Sequence, residues 1–279
     1  MDFIPDYKIA QDNFSDEGSG KFDTYSMAYT VSNEDLRQTM QFIPKKCDNA
    51  LVVAASGDHP LFCSLYGAKH VDTFDVSYNA KCFMDIKVEA IKKLGYIAYL
   101  EFLKDIYMLK VNPFCTMKTV KHMPEILEKI PKIESEYVYA LQDKALFSRG
   151  AHPISAASRP SILEYYRMRA KVKEPYNFIM TDACNVSKYL TKSYDFIHLS
   201  NIFDYIPGGK HEKIIAGLMD HVNIGGRIVT QCVNDGYDEV FGFYMYLMSK
   251  RYDNWKFEKK FIETKSVFQN GVWVLERIR

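Results

Sequence analysis

Short apolar runs that each stop at a small or acidic residue constrain this chain more than any other feature. The clearest is Ala50-Leu51-Val52-Val53-Ala54-Ala55, which ends in Ser56-Gly57-Asp58. A run that is apolar throughout, rather than at every second position, predicts a strand buried on both faces, as in a parallel sheet between two helical layers. His70-Val71-Asp72-Thr73-Phe74-Asp75 is a second such run and ends in a carboxylate. Further strands are predicted over 176–180, before Thr181-Asp182, and over 194–199, before Ser200-Asn201. Another is expected over 228–233, after a turn at Ile224-Gly225-Gly226. Segments 257–268 and 272–278 flank Gln269-Asn270-Gly271, which signals an antiparallel hairpin. Helical patterns cover 34–42, with Ser32 or Asn33 as cap, then 60–66 and 79–94. Strands alternating with helices and closed by a hairpin predict a Rossmann-like α/β fold with an open, mostly parallel sheet.

The stretch of about 96–175 breaks this alternation. It holds helical patterns at 96–109, 124–130, 133–147 and 161–172 and no convincing strand. We expect a helical insertion over the ligand edge of the sheet, acting as a cap for the acceptor, because departures of this length are rarely plain loops. Residues 1–45 form an N-terminal arm on this reading, and 1–279 one domain, a length that supports one large core. Lys and Arg number 36 against 35 Asp and Glu, so no basic field recruits nucleic acid. Cys47, Cys63, Cys82, Cys115, Cys184 and Cys232 are scattered, without C-x-x-C spacing or a neighbouring His. Neither a metal site nor a disulfide framework is therefore expected. The acidic, polar first 23 residues do not read as a signal peptide, and no apolar run approaches the ~20 residues that span a bilayer. A soluble, cytoplasmic chain is expected, with peripheral membrane contact left open.

In such sheets ligands bind at the carboxyl ends of the strands, near the switch in strand order. The residues just past each strand are thus the candidate site. Ser56, Gly57 and Asp58 follow the first strand, where glycine lets backbone approach a ligand. Asp75 ends the second strand and Val76 follows it; a carboxylate there can accept both hydroxyls of a ribose. Asp182 and Ala183 follow the third and are placed to meet an adenine. Ser200 and Asn201 follow the fourth, then Asp204 and Tyr205. Taken singly, each residue has a plainer reading as a turn, a helix cap or core packing; their convergence on one edge is the signal. No G-x-G-x-x-G and no G-x-x-x-x-G-K-[ST] is present, which disfavours dinucleotides and P-loop nucleotides. An adenosine without a pyrophosphate suits S-adenosylmethionine.

Residues 51–94 resemble the bacterial diacylglycerol 3-amino-3-carboxypropyltransferases of betaine-lipid synthesis. The likeness lies in Ala55-Ser56-Gly57-Asp58-His59, Gly67, Val71 to Asp75 and Ile86-Lys87-Val88-Glu89-Ala90-Ile91, with Asn33-Glu34-Asp35 upstream. His59 stands where that family has Asn, and Asp75-Val76-Ser77-Tyr78 lacks its Asp-x-Asn-Pro. The resemblance implies a class I methyltransferase-type fold, S-adenosylmethionine as cofactor and transfer of the 3-amino-3-carboxypropyl group to an oxygen or nitrogen acceptor. That acceptor would be a small or lipid-like molecule. In such a fold the turn after the fourth strand faces the sulfonium, which makes Asp204 the candidate base and Tyr205 a candidate to position the acceptor. Arg149 and His152, on a polar loop of the insertion, are candidates to hold an anionic acceptor. His198, inside Phe196-Ile197-His198-Leu199, reads as a satisfied strand histidine. Methyl transfer is the second reading, on the fold alone, and a non-enzymatic binder of S-adenosylmethionine the third.

Overall fold

The computed structural model describes residues 28–32, 34–109, 119–140, 147–148, 158–172, 174–232, 235–261 and 271–279. Their strands are β1 (Ala28–Tyr29), β2 (Asn49–Val53), β3 (His70–Asp75), β4 (Phe147–Ser148), β5 (Asn177–Met180), β6 (Tyr194–His198), β7 (Val222–Gln231), β8 (Trp255–Lys260) and β9 (Val272–Arg277). The helices are α1 (Leu36–Met40), α2 (Asp58–Leu65), α3 (Tyr78–Lys93), α4 (Tyr96–Met108), α5 (Met123–Leu127), α6 (Lys132–Ala140), α7 (Ile162–Lys171), α8 (His211–Met219) and α9 (Asp235–Arg251).

Seven strands form one sheet in the order β5-β3-β2-β6-β7-β9-β8. All pairs are parallel except those of β9, which runs antiparallel to both β7 and β8. The chain winds outward from β2 in one direction, returns, and winds outward from β6 in the other. Its switch point therefore lies between β2 and β6, and the order is that of the expected class I methyltransferase-type sheet.

Burial on both faces explains the unbroken apolar runs. Ala50 and Val52 of β2 join the core under α1 to α3, while Leu51 and Val53 join the core under α8 and α9. Ser77 caps α3, its hydroxyl accepting from the Ala80 amide at 3.3 Å. The helix is buried on most sides, because α4, α5 and α7 pack along it. Residue 165 ties that layer together: the Tyr165 hydroxyl donates to the carbonyls of Ile91 and Leu94 at 3.2 and 3.0 Å.

Three expectations change. The helix read over 34–42 spans only Leu36–Met40, and Asp35 is its cap, accepting from the Arg37 amide at 3.3 Å. Ile224-Gly225-Gly226 is no turn before a strand but lies inside β7, where the register against β6 shifts. Gly225 has φ 78°, and a Cβ on Gly226 would stand 2.8 Å from the Asn223 carbonyl oxygen, so the irregularity needs glycine. The helix read over 133–147 ends at Ala140, and Phe147–Ser148 pairs in parallel with Ala28–Tyr29. Of the 96–175 stretch, α4, α5 and α7 pack beside α2 and α3, and α6 reaches the first turn of α3 through Glu134 on Lys81. Among the described residues, the segment 30–32 and Glu34 lie across the ends of β2 and β6. The tip of the hairpin, Gln269-Asn270, is outside the described residues, although β8 and β9 pair as expected.

Candidate functional site

Asp75 occupies the end of β3 with its carboxylate turned toward the loop after β2. Its Oδ2 accepts the Ala55 amide at 2.9 Å and its Oδ1 the Ser77 amide at 3.0 Å. These bonds, with a further backbone hydrogen bond from Val76, fix the rotamer. Burial pushes this carboxyl up to about 6, against the pull of the Ser77 and Ala55 amides and of His59. The group is thus protonated at mild acidity, and a neutral carboxyl cannot accept from two hydroxyls. Val76 lies half-buried beside it.

The loop after β2 is built from left-handed residues, Ala55 at φ 46° and Gly57 at φ 78°. A Cβ on Gly57 would stand 3.0 Å from the Met84 Cα, so glycine lets this loop lie directly on α3. Asp58, expected among ligand contacts, has its oxygens engaged inside the protein. Oδ1 meets the Lys87 ammonium at 2.8 Å, and Oδ2 accepts the Ser32 amide at 2.8 Å and the Ser56 hydroxyl at 2.9 Å. The Asp58 and Lys87 side chains are 5% and 0% exposed. Lys87 also donates to the Thr30 carbonyl at 3.0 Å, and burial draws its ammonium below the usual lysine range despite Asp58. Ser56 and Asp58 therefore brace the loop from beneath, and the reason is the segment 30–32 folded over them.

Past β5, Thr181 donates its amide to the Asp75 carbonyl at 3.0 Å. Asp182 is buried and accepts the Asn185 amide at 2.9 Å, so it shapes the turn that follows; Ala183 is buried next to it. Past β6, Ser200 takes φ 55°, and its carbonyl accepts from the Thr230 hydroxyl at 2.8 Å and the Gln231 amide at 3.0 Å. Asn201 donates its side-chain amide to Asp204 Oδ2 at 3.3 Å. Asp204 is buried, and burial pushes the half-buried Tyr205 phenol up to about 12. Arg149 and His152 lie outside the described residues.

A buried group that the sequence reading passed over joins the two loops at the switch point. Glu34 accepts from the Ser200 hydroxyl past β6 and lies 3.3 Å from His59 Nε2 in the first turn of α2. The His59 ring faces His198 of β6, centroids 5.3 Å apart. His198 is not satisfied as expected: neither ring nitrogen has a hydrogen-bond partner among the described residues. Burial pushes it down to about 3, so it is neutral. Positions 34, 59 and 198 share no motif; the sequence marks each of them separately, and nothing local joins them.

No known protein family matches this chain, and no curated protein does. The resemblance to the diacylglycerol aminocarboxypropyltransferases thus rests on the quoted residues alone. Among solved structures, the chain is similar to an rRNA methylase from Streptococcus thermophilus at 11% identity and TM-score 0.46, over 88% of this chain and 98% of that one. A putative methyltransferase from Streptococcus mutans, solved with SAH, gives 12% and 0.44 over 88% and 98%. An N-methyltransferase from Bradyrhizobium japonicum, solved with S-adenosyl-L-homocysteine, gives 10% and 0.43 over 86% and 84%. These are likenesses of outline, and the strand order carries the fold assignment. Among the described residues no helix is long and apolar enough to cross a membrane.

Proposed function

We propose that this protein binds S-adenosylmethionine at the carboxyl edge of its sheet and transfers the methyl group to a small or lipid-like acceptor. The observation that carries the reading is Asp75, an acid at the end of the strand beside the switch point. Its rotamer is locked by the backbone amides of Ala55 and Ser77, with Val76 adding a third bond, so that the carboxylate is fixed for a ribose hydroxyl. In its support stand the close-packed Gly57 loop and the converging Asp182-Ala183 and Ser200-Asn201 turns, the former on the adenine side. Bound S-adenosylmethionine supplies an electrophilic carbon on a cationic sulfur. The chain's part is to hold the adenosine through Asp75, Val76 and Asp182, to orient the acceptor near Tyr205, and to take the acceptor's proton on Asp204. Arg149 and His152 remain candidates for an anionic part of the acceptor.

Two measurements test this. Asp75→Ala removes charge-assisted hydrogen bonds and is expected to weaken S-adenosylmethionine by about 10- to 100-fold by calorimetry, on protein whose melting transition shows it folded. In the wild type, affinity is expected to drop about tenfold between pH 7 and pH 5, because the ionised carboxylate binds and this one is ionised only above about 6. The sign for stability is opposite: a carboxyl raised by burial favours folding when protonated, and that contribution is lost as pH rises through about 6. Unchanged affinity in the variant removes Asp75 from the site.

The transferred group is read from the product. Methyl transfer leaves S-adenosylhomocysteine, and aminocarboxypropyl transfer, favoured by the motif in 51–94, leaves 5′-methylthioadenosine. Incubation with a cell extract as acceptor source, analysed by mass with Asp75→Ala as background, is expected to yield S-adenosylhomocysteine. The thioadenosine instead would establish the aminocarboxypropyl reading, and neither product would mark a binding protein.

A further inference from the structure

The switch point holds a buried carboxyl, Glu34, whose basic partner among the described residues is a histidine. Burial opposes the ionisation of Glu34, yet the hydrogen bond and positive charge of a protonated His59, with lesser help from the Ser200 hydroxyl, outweigh it and keep the carboxyl below the ordinary range. The Glu34 side chain is 2% exposed. Asp58 is answered by Lys87, but no Lys or Arg among the described residues forms an ion pair with Glu34. Among the described residues His59 is its basic partner, and a histidine balances the charge only when protonated. His198, next to His59, stays neutral, and His59 Nδ1 and both nitrogens of His198 lack partners among the described residues. Whenever His59 gives up its proton, Glu34 is left as a buried anion among neutral dipoles, which is costly, and a cation arriving with a ligand relieves that cost.

We infer that Glu34 recognises the positive charge of the ligand and so sets the preference of this site for a sulfonium over the neutral thioether left after transfer. The inference rests on the S-adenosylmethionine reading above. Glu34 is bonded to Ser200, the left-handed residue from which the turn carrying Asn201 and Asp204 starts, so it stands where the two loops of the switch point meet. Among the described residues each of its oxygens accepts from one group, Ser200 or His59. The bridge does not relay a proton onward to Asp204. Among the described residues the Asn201 side-chain amide stands between Ser200 and Asp204, with Oγ to Oδ1 and Nδ2 to Oδ2 both at 3.3 Å, and an amide does not pass protons readily. Its long-range effect is therefore one of charge.

S-adenosylmethionine and S-adenosylhomocysteine differ by the methyl group and the charge on sulfur and share everything else. Calorimetry with both ligands on the wild type and on the nearly isosteric Glu34→Gln tests the assignment. The wild type is expected to bind S-adenosylmethionine about tenfold or more tightly than S-adenosylhomocysteine, the scale of one carboxylate acting across a partly desolvated site. Glu34→Gln is expected to lose about tenfold for the sulfonium and to hold the thioether within about twofold. A parallel loss for both ligands, as from a purely structural role, or no loss for either, overturns the inference. Should the variant not fold, the wild type decides alone, since equal affinities for the two ligands also overturn it. A wild type that binds neither ligand removes the S-adenosylmethionine reading itself, and this inference with it.

Discussion

Lys87→Met is expected to destabilise the folded protein by about 3–5 kcal/mol, because it leaves the Asp58 carboxylate buried without its cation. The pair is dry, with 0% of the lysine side chain and 5% of the aspartate exposed, so solvent cannot take over the missing charge. Methionine keeps most of the volume, including the contact of the side chain with the Phe83 ring, where the ammonium lies 4.8 Å from the centroid. Denaturant unfolding measures the loss. Its electrostatic origin is checked in the double variant Lys87→Met/Asp58→Asn, which removes the stranded charge and is expected to regain a large part of the stability. A single variant within about 1 kcal/mol of wild type would mean that water reaches the pair, which is the cost of an ordinary surface change. The same substitution loosens the Gly57 loop and the segment at Thr30, both of which lie on the pair.

Asp204→Asn is expected to lower turnover by about 10²–10⁴-fold while S-adenosylmethionine affinity holds. Asparagine preserves the shape and can still accept from the Asn201 amide, so the turn after β6 is retained. What it cannot do is take a proton from the acceptor. The measurement is single-turnover product formation with an acceptor in hand, beside calorimetry on the same preparation. Equal losses in binding and rate would assign Asp204 to the architecture of the turn. Because Glu34 approaches this turn through Ser200, the two variants are close enough to couple, and their combined effect is not expected to add.

How much of this was legible beforehand follows the range of the forces involved. The β3 strand was readable to the residue, and β2 to within one residue at its start, because a short apolar run closed by polar residues is a local pattern. The α7 helix, read over 161–172, and the pairing of β8 with β9 were legible for the same reason. β7 was misjudged because two glycines signal a turn by composition, and only the neighbouring strand shows that they form an irregularity inside a ladder. The 96–175 stretch was legible as helices, but where they pack was not, since an apolar helix face does not name the surface that will cover it. In this chain that surface is chiefly α2 and α3.

The site divides along the same line. The sequence alone determined that acids and small residues fall at the ends of β2, β3, β5 and β6, because strand ends follow from local apolar length. It also located Asp75, which accepts from the Ala55 and Ser77 amides, the first in the turn after the adjacent strand. Tertiary structure alone decided which of those acids are consumed by the fold. Asp58 and Lys87 are 29 positions apart, Glu34 and His59 25, and Glu34 and Ser200 166. Pairings at such separations are fixed by how helices seat on the sheet and by the cost of leaving a buried charge unanswered, and neither quantity is written in local composition.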